Sequence, residues 1–327
     1  MAYPVSMNPE VSDAPLVVLV GPTASGKSTL GIFLAKQFGG EIVACDSTQL
    51  YRGFDIGTAK PTFAERAGIP HHLLDVLSPE EASTAGDYRE KAEVVLADLK
   101  SRGKLPIFTV GTGLYLRALL EGLADLPQRS EEIRERLRQS AAAHGSGHLH
   151  ATLKKLDPDT AAKIAPADEQ KIIRAIEVCL LTSKPISEVH RTARKPLLGW
   201  APIKIGLQPP REALIERIHA RTESMLANGW TEEVRKLMSC AEDAKPFDFI
   251  GYRELREVLR NKMKLEDARV TIGQATRQYA RRQLTWFRRE RGVHWLTGFG
   301  DEAKIQTAAA EHLASQGIAR GQERASV

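Results

Sequence analysis

The chain has 327 residues, 42% of them hydrophobic and 27% charged, which is ordinary for a folded protein. At about 150 residues per domain this length makes roughly two domains, with enough apolar chain for a sizeable core, so disorder as the main state is excluded. The formal net charge is +5, and residues 277–291 hold six arginines against one glutamate, so that one segment accounts for the whole excess and points to a local polyanion contact.

In chain order, residues 1–13 read as a flexible leader. Leu16–Val20 is a continuous apolar, β-branched run, as expected of a strand buried on both faces of a parallel sheet. A Gly-rich turn and an amphipathic helix over Lys27–Phe38 follow. Glu41–Cys45 reads as a second buried strand, Leu105–Val110 as a third, Ile203–Leu207 as a fourth and Val293–Leu296 as a short fifth. Strands alternating with helices imply crossover connections and a parallel α/β sheet. Between the third and fourth strands helical patterns dominate, over Glu131–Ala143, Leu149–Leu156, Asp168–Leu181 and Ile186–Thr192, punctuated by Gly145, Pro158 and Pro166. The expected organisation is an α/β core from 14–125 and 201–304, an inserted helical subdomain at 126–200, and a tail at 305–327.

No run approaches the roughly 18 apolar residues that span a bilayer, and the polar start of the chain lacks a secretory pattern. Cys45, Cys179 and Cys240 are odd in number and far apart, which argues against a disulfide scaffold or a zinc site. A cytoplasmic, monomeric protein without a membrane partner is expected.

Gly21-Pro22-Thr23-Ala24-Ser25-Gly26-Lys27-Ser28 fits the G-x-x-x-x-G-K-[ST] pattern, directly after a buried strand and opening a helix. Glycines let the backbone fold so that several N–H groups face inward, and the helix N-terminus adds a positive dipole end. Lys27 supplies a point charge, and the Ser28 hydroxyl suits Mg²⁺. Such a loop recognises a di- or triphosphate rather than a nucleobase, so ATP binding is one reading. A diphosphate held as a leaving group is another.

Asp46-Ser47-Thr48-Gln49 follows the second strand, at the carboxyl end where ligands of open α/β sheets sit. Asp46 reads as a general base, a Mg²⁺ partner or a turn cap, and Gln49 as a reader of an adenine edge. His71 and His72 are adjacent, and neighbouring strand residues point to opposite faces, which disfavours a metal site.

GPTASGKS, DSTQLY, DIGTAKP, PHHLLDV and GTGLYLRALLEGL, in that order, resemble the tRNA dimethylallyltransferase (IPP transferase) family over about residues 15–296. The resemblance implies a P-loop NTPase-like fold and a prenyltransferase. The dimethylallyl group of dimethylallyl diphosphate passes to N6 of adenosine 37, in the anticodon stem-loop of tRNA, with Mg²⁺ present. By this resemblance Asp46 is the general base that takes a proton from the poorly nucleophilic amine. Thr112 bonds the diphosphate near the breaking bond, and Arg221, with Arg217 secondary, neutralises it beside Lys27. Val110 stands where relatives commonly have glycine, which predicts a slightly displaced Thr112. The tRNA contacts carried over are Asp46–Gln49, Thr112, Arg134, Gln170-Lys171-Ile172-Ile173-Arg174, Ile250-Gly251-Tyr252-Arg253 and Arg281-Arg282-Gln283-Leu284-Thr285-Trp286-Phe287-Arg288.

At 100° per residue Arg277, Arg281 and Arg288 share a 40° arc, with aromatic and aliphatic residues opposite. This is an amphipathic helix with a polycationic face. Three other readings stand beside the tRNA enzyme: a phosphate-loop kinase using ATP, a prenyltransferase of free adenine nucleotides, and an RNA-binding module with a vestigial loop. The first two have no need of the arginine helix, and the third has no need of the Lys27, Ser28 and Asp46 set.

Overall fold

A computed structural model describes residues 13–124, 126–192 and 195–321. Residues 1–12 of the expected leader and 322–327 of the expected tail lie outside the described residues. Two compact units divide the chain: one runs to Leu116 and resumes at Leu198, and the other is Arg117–Leu197.

In the first unit β1 (Ala14–Val20) leads into α1 (Lys27–Phe38) and β2 (Gly40–Cys45). The short β3 (His71–His72), α2 (Ala85–Ser101) and β4 (Leu105–Val110) follow, and α3 (Gly113–Glu121) carries the chain into the second unit. The second unit holds α4 (Glu131–His144), α5 (Ser146–Leu156), α6 (Pro158–Ala161), α7 (Glu169–Thr182) and α8 (Ile186–Thr192). The chain returns through β5 (Trp200–Leu207), α9 (Arg211–Ala227), α10 (Trp230–Ala241), α11 (Tyr252–Leu259), α12 (Leu265–Phe287), β6 (Val293–Leu296) and α13 (Ala303–Ser315).

The six strands form one parallel sheet in the order β3-β2-β4-β1-β5-β6. The fold is α/β, with helices flanking the sheet, as the alternation of buried runs and helical segments implies. Val17, Leu19, Ile107 and Ile205 are buried beneath Leu30, Leu34 and Phe38 of α1. Glycine at Gly31 lets α1 lie close on the sheet, since a Cβ there would stand 3.2 Å from Ile42 and Thr109 side chains. Gly229 and Gly251 are the left-handed or positive-φ residues that open α10 and α11.

The reading of 305–327 as a tail is corrected within the described part. Ile305, Ala309 and Leu313 repeat at the four-residue spacing of one helix face and are buried in the same core as α1. The alanine-rich composition of this segment hid a face that packing makes plain. α2 also has its own start signal, a capping box between Thr84 and Asp87. In the second unit Ile172, Ile173, Ile176 and Val178 of α7 pack with Leu149 and Leu153 of α5.

Glu41, almost fully buried on β2, accepts both guanidinium nitrogens of Arg102, at 2.6 and 3.0 Å, and a 2.7 Å bond with His72 Nε2. The Arg102 bonds, helped by His72, hold the Glu41 carboxyl down at about 2 against the burial that raises it. A carboxyl depressed on folding stabilises the protein above its ordinary pKa and ceases to do so as pH falls through the folded value. Urea midpoints are therefore expected to fall as pH drops from about 4.5 towards 2, and Glu41→Gln is expected to flatten that part of the profile.

Candidate active site

The loop between β1 and α1 has the backbone that its glycines predict. Gly21 and Gly26 take φ of 146° and 86°, and Ala24 takes 64°. A Cβ at Gly21 would stand 2.8 Å from the Leu207 carbonyl oxygen of β5, so only glycine lets the loop leave the sheet there. On the outer side the Gly300 N–H donates to Ser25 O at 2.9 Å, and a Cβ at Gly300 would meet Gly26 O at 2.3 Å. Residues 300 and 26 thus clamp the loop. Lys27 Nζ donates to Gly21 O and Pro22 O, each at 2.9 Å. Burial pulls the Lys27 ammonium down to about 7; Asp46 opposes this and the Arg221 charge adds to it. Ser25 Oγ is buried with no hydrogen-bond partner among the described residues, and Ser28 is exposed at the start of α1.

β2 and β4 are adjacent and parallel, with Cys45 opposite Val110. Asp46 and Gly111-Thr112 therefore leave the sheet side by side. The N–H groups of Gly111 and Thr112 both donate to Cys45 O at 3.0 Å. Thr112 Oγ1 accepts from Ser47 N at 2.9 Å and donates to Ser47 Oγ at 3.1 Å. Asp46 Oδ1 accepts from Thr48 N at 2.9 Å and Thr48 Oγ1 at 2.8 Å. Its Oδ2 lies against Gly111, where a Cβ would be 1.8 Å away. Val110 ends β4 as a fully buried strand residue. The strict demand for glycine falls on Gly111.

α9 and α12 close the other side. Arg221 Nη2 donates to Thr23 Oγ1 at 2.7 Å. Burial, then the Arg217 charge, lowers the Arg221 guanidinium to about 10 against the pull of Asp46. Arg217 does not join it. It forms a two-pronged pair with Asp301 at 2.8 and 2.7 Å and lies over the Phe299 ring at 4.6 Å. Thr23, Asp46 and Arg221 face a cleft of about 280 Å³ whose apolar wall includes Met225, Trp230, Phe249, Ile250 and Ile272. None of Met225, Trp230 and Ile272 belongs to the sequence motifs. In the sequence they read as ordinary apolar positions of helices.

The other expected site residues separate into exposed and internal groups. Arg281, Arg282, Thr285 and Arg288 are exposed on α12 or at its end, whereas Gln283 and Phe287 are buried and Leu284 and Trp286 are partly so. Reading residues 281–288 as one RNA contact is corrected here, because a helix presents only some of its residues to one side. Ile172 and Ile173 are core residues of the second unit, while Gln170 and Lys171 are exposed and Lys171 pairs with Asp168. Arg134 and Arg174 face Glu177, which is fully buried. A buried carboxylate needs such partners, so both arginines have a structural task. Tyr252 is buried and donates to Glu233 at 2.6 Å; Gly251 is buried, Ile250 lines the cleft, and Arg253 is exposed and paired with Glu254. Gln49 Nε2 donates to Thr58 O and Ala59 O at 3.1 and 3.2 Å, so its amide is occupied by its own loop. Among the described residues there is no group of three or more His, Cys, Asp or Glu placed to hold a metal, and no helix is long and apolar enough to cross a membrane.

A phosphate-type loop, a carboxylate and an apolar wall meeting at the carboxyl ends of parallel strands define a transferase-like site on a P-loop NTPase-like fold. The chain belongs to the IPP transferase family, whose model matches residues 49–290, and the Isopentenyl transferase model matches residues 14–78. It is 52% identical to a tRNA dimethylallyltransferase of Koribacter versatilis over 90% of this chain and 96% of that one. The structure resembles a full-length tRNA isopentenylpyrophosphate transferase of Bacillus halodurans with TM-score 0.68 and 35% identity, covering 93% and 96% of the two chains. A eukaryotic dimethylallyltransferase acting on tRNA is similar with TM-score 0.77 and 27% identity, covering 95% and 82%.

Burial lowers Lys27 to about 7, so its charged form gives way to the neutral one as pH rises through that value. An anion entering the cradle favours the charged form, so above pH 7 binding takes up a proton. Inorganic pyrophosphate is expected to bind more weakly as pH rises past 7, with proton uptake measured by calorimetry in buffers of different ionisation heat. Lys27→Met is expected to weaken binding about 10- to 100-fold and to remove that uptake.

Proposed function

We propose that the chain transfers the dimethylallyl group of dimethylallyl diphosphate to N6 of adenosine 37 in tRNA and releases diphosphate. The observation that carries this reading is the meeting of Asp46 with two half-buried cations, Lys27 and Arg221, beside an apolar wall in one region of the fold. A kinase also needs a phosphate loop, but a small-molecule kinase has no use for exposed arginines along α12.

In the proposed reaction the adenine amine attacks the allylic carbon. A C–N bond forms, the C–O bond to diphosphate breaks, and its electron pair leaves on the diphosphate oxygen. Asp46 Oδ2, which Thr48 leaves free of its two bonds, takes the proton from the amine. Lys27, Arg221 and the N–H groups of the loop stabilise the departing charge, and the Thr112 hydroxyl, once its proton turns from Ser47 Oγ to the ligand, adds a donor on the Asp46 side. Ser28 is exposed at the helix start and, with diphosphate oxygens and water, would hold a Mg²⁺. Bound there, the ion would neutralise leaving-group charge. The buried Ser25 hydroxyl, which has no partner among the described residues, fits a loop completed by a ligand. Arg281, Arg282 and Arg288 hold RNA phosphates, and a base in a loop swings out of its stack to reach the cleft.

Unmodified tRNA incubated with Mg²⁺ and labelled dimethylallyl diphosphate is expected to acquire label at N6 of adenosine 37. Transfer of the γ-phosphate of ATP without alkylation of RNA would overturn the reading. With Asp46→Asn, transfer is expected to fall at least about 100-fold while filter binding of tRNA changes less than two-fold; normal turnover would remove Asp46 as the base. Replacing Arg281, Arg282 and Arg288 by glutamine is expected to weaken tRNA binding and to make the log–log salt slope shallower by about 0.7 to 0.9 per lost phosphate contact. An unchanged slope would take α12 out of the RNA interface.

A further inference from the structure

Gln283 sits between exposed Arg282 and partly buried Leu284, yet only 6% of it is accessible. Its Oε1 accepts from the Thr23 N–H at 2.7 Å, and its Nε2 donates to Gly111 O at 2.8 Å. The two partners fix the orientation of the amide, because an N–H only donates and a carbonyl only accepts. Thr23 belongs to the phosphate loop and also receives Arg221. Gly111 backs onto Asp46 and immediately precedes Thr112. One turn earlier on the same helix, the Tyr279 hydroxyl donates to the same Gly111 carbonyl at 3.1 Å. One turn later, Trp286 lies on Gly113, where a Cβ would stand 2.2 Å from the indole nitrogen. The helix that exposes Arg281, Arg282 and Arg288 therefore grips both halves of the site from its inner side. It does so through a side chain that reaches loops 260 and 172 residues away in sequence.

We propose that Gln283 is a positioning residue that couples RNA held on the arginine face of α12 to the geometry of the diphosphate loop and of the Asp46–Thr112 pair. This inference rests on the reading of α12 as an RNA-binding helix. A shift of α12 on engaging RNA acts on Thr23 and Gly111 together, since one amide holds both. RNA and diphosphate then bind cooperatively, and by linkage each raises the affinity of the other by the same factor.

The test measures binding of inorganic pyrophosphate with and without a saturating anticodon stem-loop containing adenosine 37. In the unmutated chain the stem-loop is expected to tighten pyrophosphate binding at least about 5-fold. Gln283→Met removes both bonds. Gln283→Glu has the same shape and keeps an acceptor for Thr23, but it places an oxygen against Gly111 O. Both variants are expected to bind the stem-loop alone within about two-fold of the unmutated chain and to bring the coupling ratio near one. They are also expected to lower kcat roughly 10- to 100-fold with little change in the KM for tRNA, the pattern of a misplaced reaction geometry. A residue that merely holds the fold together would instead lower the melting temperature and leave the ratio in the surviving folded protein unchanged. If Gln283→Met does not fold, the isosteric Gln283→Glu decides. Retention of the full coupling ratio by either folded variant overturns the proposal. So does a ratio of one in the unmutated chain when it binds the stem-loop. Failure of the unmutated chain to bind the stem-loop overturns the RNA reading itself, and the coupling with it.

Discussion

Two half-buried cations govern the site. Lys27 and Arg221 are both pulled down in pKa chiefly by burial, and each sits near the other's charge. The loop carbonyls of Gly21 and Pro22 compensate Lys27, and the Thr23 hydroxyl compensates Arg221, but these are neutral acceptors. A desolvated positive charge is costly unless it meets a negative one. Asp46 supplies part of that charge, and an anionic ligand supplies the rest. The parallel register of β1, β2 and β4 makes this possible, because it brings the ends of three strands to the same edge of the sheet.

Much of this was legible in the sequence because it depends on local signals. A buried β-branched run, two glycines at fixed spacing and a lysine at a helix start specify the loop without knowledge of the rest of the chain. The α1 boundaries, Lys27–Phe38, follow from the Gly26 and Gly39 conformations at its two ends. The apolar wall was not legible. Met225, Trp230 and Ile272 come from three helices and meet only through tertiary packing. Nothing in the neighbourhood of any one of them marks it as part of a cleft. The same limit applies to Arg217 and Arg221. They share a helix face, and only the resemblance ranks Arg221 above Arg217; the reason lies in Asp301, 84 residues beyond Arg217, which takes Arg217 away from the cleft.

Motif resemblance names whole stretches, and the helices divide those stretches between solvent and core. In residues 281–288 the exposed arginines alternate with buried Gln283 and Phe287. In residues 170–174 the isoleucines belong to a hydrophobic core and Arg174 to a buried carboxylate. Periodicity resolves such a segment, since a helix cannot turn eight successive side chains to one partner.

The clamp between Gly300 and the Ser25–Gly26 turn ties one of the earliest parts of the chain to one of the latest. During synthesis the phosphate loop leaves the ribosome long before the segment that locks it, and β6 and α13, which complete the sheet edge and the core over α1, arrive with that segment. A contact of such long sequence separation forms late and slows folding. The nascent chain therefore carries an unlocked loop until residue 300 is made, and a chain stalled before it is left with its phosphate-gripping turn unsecured.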